Sequence, residues 1–294
     1  MASSCPAMPL SRFALFLPLA ALFACATRPT TRPAPRAGAA ATTIAGPNTT
    51  GPWRLVASYA SQGVTLATRA IVVISGDPAT RTDTLSASLD ASYTWARDGR
   101  RRVVGTLNDY RVAPGSSTAT VPAGLTLARA FAAEASPTDG AVVFRLPSEG
   151  SACTDPALSA LQGLHDAWPP VPGLLAIGQE WSDTVRTLSC RDRLAVRGVS
   201  VRRFRVVRAD VENGRVVVTI SRRSTGRMAA EGEQFGESVT LGGESTGMMQ
   251  YVLDVASGRF VRAVGRASLD LAFKSRRRNQ RVKQESELML TWKP

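Results

Sequence analysis

Between residues 85 and 95 the chain alternates without a break. Leu85, Ala87, Leu89, Ala91, Tyr93 and Trp95 interleave with Ser86, Ser88, Asp90, Ser92 and Thr94. Successive side chains leave a strand on opposite faces, so this ribbon is apolar on one side and polar on the other. A helix, with its period of 3.6, would scatter both sets around its axis. The alternation returns late in the chain. Val261, Ala263, Gly265, Ala267, Leu269, Leu271 and Phe273 share one face, with Arg262, Arg266, Ser268, Asp270 and Lys274 opposite. The final run sets Leu288, Leu290 and Trp292 inward against Glu285, Glu287 and Lys293. Asp98-Gly99, Asn213-Gly214 and Ser257-Gly258 supply hairpin turns between such runs. Several runs exceed the usual strand length of about 5–6 residues, which suits a strongly coiled sheet.

One segment carries helix punctuation. Asp155 can serve as N-cap with Pro156 at the first helical position, where its missing N–H costs nothing. Leu158, Leu161, Leu164 and Trp168 then share a stripe, and the prolines at 169, 170 and 172 end it. The expectation is a mainly β (α+β) fold, a strongly curved, half-barrel-like antiparallel sheet with one central helix over about 155–166. A β-sandwich is the alternative. The helix's apolar stripe needs a partner, and the concave face of a curved sheet provides one.

The first fifty residues read differently. Arg12 precedes an apolar core of eleven residues, Phe13 to Phe23, too short for the roughly 20 that a membrane-spanning helix needs. Small residues follow, as in a secretory signal peptide. Leu22-Phe23-Ala24-Cys25 resembles the bacterial lipobox, with Phe23 standing where a smaller residue is usual. The resemblance implies removal of residues 1–24, acylation of Cys25 and a lipid anchor facing the periplasm, most simply on the outer membrane. A conventional cut near Ala24 or Ala26 is the other reading. Residues 25–52 hold no acid, one large aliphatic (Ile44) and many Pro, Thr and Ala, too little apolar surface to order themselves. They read as an extended tether. Its arginines (Arg28, Arg32, Arg36) suit anionic headgroups. The globular domain is then 53–294. Two similar halves, about 53–147 and 174–294, joined by the helical segment, are one reading of the strand–turn–strand passages LDASYTWARDGRRRVVGTLNDYRV and MMQYVLDVASGRFVRAVGRASLDLAF; convergent hairpin grammar explains them equally well.

The globular domain has two cysteines, Cys153 and Cys190, and no CxxC or His cluster for a metal. Outside the cytoplasm such a pair commonly bonds. A Cys153–Cys190 disulfide would clamp the helical segment.

Catalytic readings fail one by one. Gly243-Glu244-Ser245-Thr246-Gly247 matches GxSxG, but that motif needs a strand-to-helix elbow and a histidine later in the chain. Here strand-like SVTL and MMQYVLDV flank it, and the single histidine, His165, precedes it. A glycine-rich turn or bulge explains it better, and His165 is expected to pack or lie at the surface. Asp183, Glu231, Glu233, Glu237, Asp254 and Asp270 select no carboxylate pair. No cofactor fingerprint is present, and no enzyme is expected.

The run KSRRRNQRVK places Lys274, Arg276, Arg277, Arg278, Arg281 and Lys283 in ten positions without an acid. Readers of single-stranded nucleic acid interleave aromatics with such charge, and none is here. Export argues against a nucleic-acid partner as well. The run reads as a hairpin tip whose charge blocks edge pairing, or as a contact for anionic phospholipid or lipopolysaccharide headgroups.

An exported, tethered chain with long alternating strands and a central helix is similar to the bacterial lipoprotein carriers, the LolA/LolB/LppX-like half-barrels. VPGLLAIGQEWSDTV is likewise similar to exported β-rich proteins, and Trp181 within it is expected in the core. The carrier resemblance implies an apolar cavity beneath the helix, holding a lipid or other hydrophobic ligand. The alternative is a structural or interaction protein of the envelope with a filled core; a hydrolase is a distant third.

Overall fold

Long alternation becomes long strands. In the computed structural model the described residues are 47–55, 61–76, 80–95, 102–114, 129–135, 142–145, 153, 156–191, 194–234 and 236–293. The expected signal peptide, Cys25 and the expected tether up to residue 46 lie outside them. The strands are β1 (Trp53–Arg54), β2 (Gln62–Gly76), β3 (Arg81–Trp95), β4 (Arg102–Pro114), β5 (Arg129–Ala135) and β6 (Val142–Arg145). After the helix α1 (Pro156–Gln162) come β7 (Leu174–Leu175), β8 (Glu180–Arg191), β9 (Leu194–Glu212), β10 (Arg215–Gln234), β11 (Glu237–Asp254), β12 (Arg259–Ser275) and β13 (Asn279–Lys293).

Eleven strands form one antiparallel sheet in the order β6-β5-β4-β3-β2-β13-β12-β11-β10-β9-β8, and β1 pairs with β7 in a two-stranded ribbon. The chain runs as two meanders that meet where β2 pairs β13. This corrects the sandwich alternative: the long strands belong to a single sheet. Among the described residues no ladder joins the edge strands β6 and β8, so the sheet is not closed into a barrel. The two edges nevertheless approach each other, and α1 packs against β4, β6 and β8.

The helical segment is shorter than expected. The α-helix covers seven residues, Pro156–Gln162, and Gly163–Ala167 tightens into a 3-10 turn. Gly163 is a poor helix former, and a proline at 169 pushes the residue before it out of the α region. Trp168 accordingly adopts φ −132° and ψ 62°. Leu161, Leu164 and Trp168 are buried as their spacing suggests, whereas the capping residue Asp155 lies outside the described residues.

Parity predicts burial well along β2 and β13, where every second residue from Gln62 to Ile74 and from Val282 to Trp292 points inward. It slips at Val261, which is exposed although its pattern places it with Ala263. Val252 pairs with Arg262 while Leu253 pairs with Phe260, leaving Val261 as the extra residue of a bulge. A bulge reverses the face of what lies beyond it and bends the strand. Val207 is left over in the same way between β9 and β10.

The core divides in two. The larger cluster gathers Trp53, Leu161, Leu164, Trp168, Phe204, Tyr251, Leu290 and Trp292 under the helical segment. The second gathers Val72, Ile74, Val196, Val239, Leu271 and Phe273 at the opposite end of the strands.

Candidate functional site: an interior cavity between two apolar clusters

Between the two clusters, two consecutive inward rows carry mostly small or polar side chains, their ends running into the second cluster at Ala70, Val72 and Leu269. One row crosses seven strands in register: Asp183, Arg202, Ser224, Gly247, Ala267, Ser286 and Ala70. The next reads Val185, Ser200, Gly226, Ser245, Leu269, Gln284 and Val72. The serines, glycines and alanines of these rows are too short to fill the space between facing walls. A cavity of about 220 Å³ remains, lined by Ser200, Ser224, Ser245, Gln284 and Ser286, by Leu66, Leu89 and Leu288, and by His165 and Asp166 of the 3-10 turn.

A charge cluster closes one side of it. Arg202 is 2% exposed and meets Asp183 with two hydrogen bonds, Nε to Oδ1 at 2.8 Å and Nη2 to Oδ2 at 2.5 Å. Its Nη1 donates to the His165 carbonyl and to Asp166 Oδ1, each at 3.2 Å. Arg222, 4% exposed, donates from Nη1 to Asp166 and to the Tyr251 hydroxyl. Two guanidinium groups and two carboxylates balance, as buried charge must. Burial pushes the Asp166 carboxyl up, but Arg222 and Arg202 outweigh it and hold the group below the ordinary carboxylate range. Behind the cluster, Phe204 lies under Arg202 at 5.5 Å and stacks on Trp181 at 5.4 Å. Trp181 is thus packed against the core at the start of β8, held by Nε1 donating to the Pro170 carbonyl at 2.8 Å.

Three cavity-lining residues keep a buried polar atom without a partner: Arg222 Nε, His165 Nδ1 and Gln284 Oε1. Gln284 spends its amide on Ser286 Oγ at 2.9 Å. His165 Nε2 lies 2.7 Å from Gln162 Oε1, an acceptor, so Nε2 carries the proton and Nδ1 is a bare acceptor. Burial, then the charge of Arg202, pushes the imidazole pKa down to about 3. It stays neutral at every physiological pH.

The structure places the sequence candidates as follows. Ser245 sits in mid-strand on β11, in unbroken register with Gly226 and Leu269, so neither an elbow nor the expected glycine-rich turn or bulge is found there. Gly243 is required for packing, because a Cβ there would run into the Asp270 carbonyl and Leu271. Ser245 and His165 do line the same cavity, a juxtaposition only the register could show. His165, however, is bonded to an amide rather than an acid. Cys153 is half-buried and engaged in a disulfide; the side chain of Cys190 lies outside the described residues. Of the basic run, Arg281 grips Asp270 through two bonds of 2.6 Å, and Arg277 lies 2.8 Å from Glu237. Lys274, Arg276, Arg278 and Lys283 stay exposed around the Ser275–Asn279 turn. Among the described residues no helix is long and apolar enough to cross a membrane, and no group of three His, Cys, Asp or Glu could hold a metal ion.

Sequence reading missed the Arg202–Arg222–Asp166–Asp183 cluster and the serine rows. The signal was there: polar residues at inward parity, such as Ser200 and Arg202 between Val196 and Phe204. A buried polar residue is the informative departure from the apolar rule.

No family model matches the chain, and no curated protein matches it. Among solved structures it is similar to the crystal structure of Neisserial surface protein A (NspA), at 8% sequence identity over 78% of this chain and 96% of that one. The TM-score is 0.19, too low to give a shared strand arrangement to reason from.

Proposed function

We propose that this chain is a non-enzymatic binding module of the bacterial envelope, tethered through an acylated Cys25, whose curved, half-barrel-like sheet holds a small amphiphilic ligand. The observation that carries the reading is the cavity itself. Leucines form part of its wall, and Arg222 Nε, Gln284 Oε1 and His165 Nδ1 supply one donor and two acceptors that the protein leaves unused. At about 220 Å³ it lies below the about 300–1,000 Å³ of typical small-molecule pockets, so a compact molecule fits it better than a diacyl lipid. The lipid-carrier expectation narrows accordingly: the space beneath the helical segment is mixed in character, with hydroxyls facing hydrocarbon.

Catalysis has little support in this geometry. An imidazole with a pKa near 3 is too weak a base to activate Ser245 near neutrality, and no acid orients it. Tethering rests on the lipobox resemblance and on Trp53, which is buried, pairs with Leu175 and donates from Nε1 to the Asn48 carbonyl at 2.8 Å. That anchors the chain where the tether would join the domain.

A structural envelope protein without a ligand is the second reading. It draws support from the charge cluster, which ties the 3-10 turn to β8, β9 and β10 and needs no visitor to balance it. Native mass spectrometry of the purified full chain, followed by solvent extraction, separates the two. Binding predicts a bound small molecule, absent from a Ser224→Leu variant whose side chain fills the cavity. Neither a co-purifying molecule nor uptake of a fluorescent amphiphile by the intact chain would leave the structural reading standing.

A further inference from the structure

The outer face of the sheet carries a second feature, independent of the cavity. Arg203 of β9 and Arg223 of β10 are directly opposed in the ladder. Arg223 opposes Met248 of β11, and Met248 opposes Arg266 of β12. Four neighbouring strands therefore present Arg, Arg, Met, Arg in one row. Like charges directly opposite each other on a sheet are destabilising. Arg266 relieves its charge on Glu287 at 3.6 Å, and Arg205, next along β9, lies 3.7 Å from Glu180. The side chains of Arg203 and Arg223 have neither an ion pair nor a hydrogen bond among the described residues. Around them stand exposed apolar side chains: Met248 at 58%, Val264 at 49% and Val201 at 41%.

We propose that this face of β9–β12 docks on a bilayer surface bearing anionic headgroups. Arg203 and Arg223 take phosphate oxygens, and Met248 enters among the headgroups. Guanidinium groups bind phosphate through paired donors, which accounts for the cations. A dissolved phosphate would have no use for Met248, Val201 and Val264. The boundary of a bilayer uses both kinds of side chain, apolar groups reaching below the headgroup level and arginines staying at it. The net charge of +13 favours approach to such a surface.

The test uses the full chain carrying Cys25→Ser, so that no acyl group brings it to the membrane; the leader is common to every variant. Co-sedimentation is measured with vesicles of mixed phosphatidylglycerol and phosphatidylcholine, and with phosphatidylcholine alone. Expected is binding to the anionic vesicles only, weakened by salt, and reduced about tenfold or more by Arg203→Glu with Arg223→Glu. Met248→Ser lowers it by a smaller factor. Arg276→Glu with Arg278→Glu, which changes net charge equally at the hairpin tip, has the smaller effect of the two pairs. Equal losses from both pairs would reduce the effect to overall charge and overturn the proposal. So would unaltered binding by the Arg203/Arg223 variant. Displacement by inorganic phosphate at matched ionic strength, together with indifference to Met248→Ser, would make this a soluble-anion site and equally overturn it. Near-UV circular dichroism checks that these exposed substitutions leave the fold intact.

Discussion

Arg202 of β9 holds Asp183 of β8 in a two-pronged ion pair, 2.8 Å and 2.5 Å, that is almost completely shut off from solvent. Because Arg202 also reaches Asp166 and the His165 carbonyl, this pair is the hinge between the sheet and the turn that roofs the cavity.

Removing one member of a buried pair strands the other. Asp183→Ala should therefore cost about 3–5 kcal/mol in urea unfolding. Replacing both partners, Arg202→Met with Asp183→Leu, should cost far less, since Asp166 keeps Arg222. A double variant as unstable as the single one would show that the pair is not the unit of stability.

His165 makes stability depend on pH in a window of its own. Its folded pKa is about 3 against an ordinary 6.5, so below pH 6.5 the unfolded chain binds a proton that the native chain refuses. Stability is complete above about 6.5 and falls with pH towards 3, at about 1.4 kcal/mol per pH unit for that proton. Asp166, Glu212 and Asp270 are also lowered, from ordinary values of 3.8, 4.5 and 3.8, so they add their losses further into acid. His165→Gln should flatten the slope between pH 4.5 and 6.5, an interval those ordinary values delimit. A slope there that survives the substitution would assign it to another group.

Two adjacent glycines should respond oppositely. A Cβ at Gly243 collides with the Asp270 carbonyl, whereas one at Gly242 meets only the Met228 carbonyl at 4.0 Å. Gly243→Ala should lose about 1–3 kcal/mol. Gly242→Ala should be neutral or gain a few tenths through a less flexible unfolded chain, about 0.4–1 kcal/mol at most. Thermal melts of the two variants decide it.

Cys153 is disulfide-bonded, and Cys190 is the partner expected. Non-reducing peptide mapping should return a peptide joining the two, and Cys153→Ser with Cys190→Ser should lose about 2–4 kcal/mol. A linked peptide containing Cys5 or Cys25 would refute the pairing.

Cys25 should incorporate labelled palmitate when the chain is expressed in a bacterium with its leader, and Cys25→Ser should abolish the label. Phe23→Ala should speed processing, because it restores the small residue usual at that place. Label retained in Cys25→Ser would discard the lipobox reading.

Much of the fold is legible from parity. Period-2 runs mark the strands, Asn213-Gly214 supplies its turn with φ of 50° and 77°, and the Leu161–Leu164–Trp168 stripe finds the core. Where parity fails, as at Val261, the cause is a bulge, set by how two strands align rather than by either one alone. The helix shortened because Gly163 and the following prolines outweighed a favourable apolar stripe.

The chain's own residues determine that it builds long, half-buried antiparallel strands. That follows from neighbours in sequence, through the side-chain period of a strand. The tertiary structure alone decides that Asp183, Arg202 and Ser224 lie in one row with Ser286, that Ser245 faces His165's cavity, and that Arg203 stands across from Arg223. Register is a relation between segments far apart in the chain, as where Lys293 pairs with Gly63, fixed by burying both apolar clusters at once. No local pattern contains it.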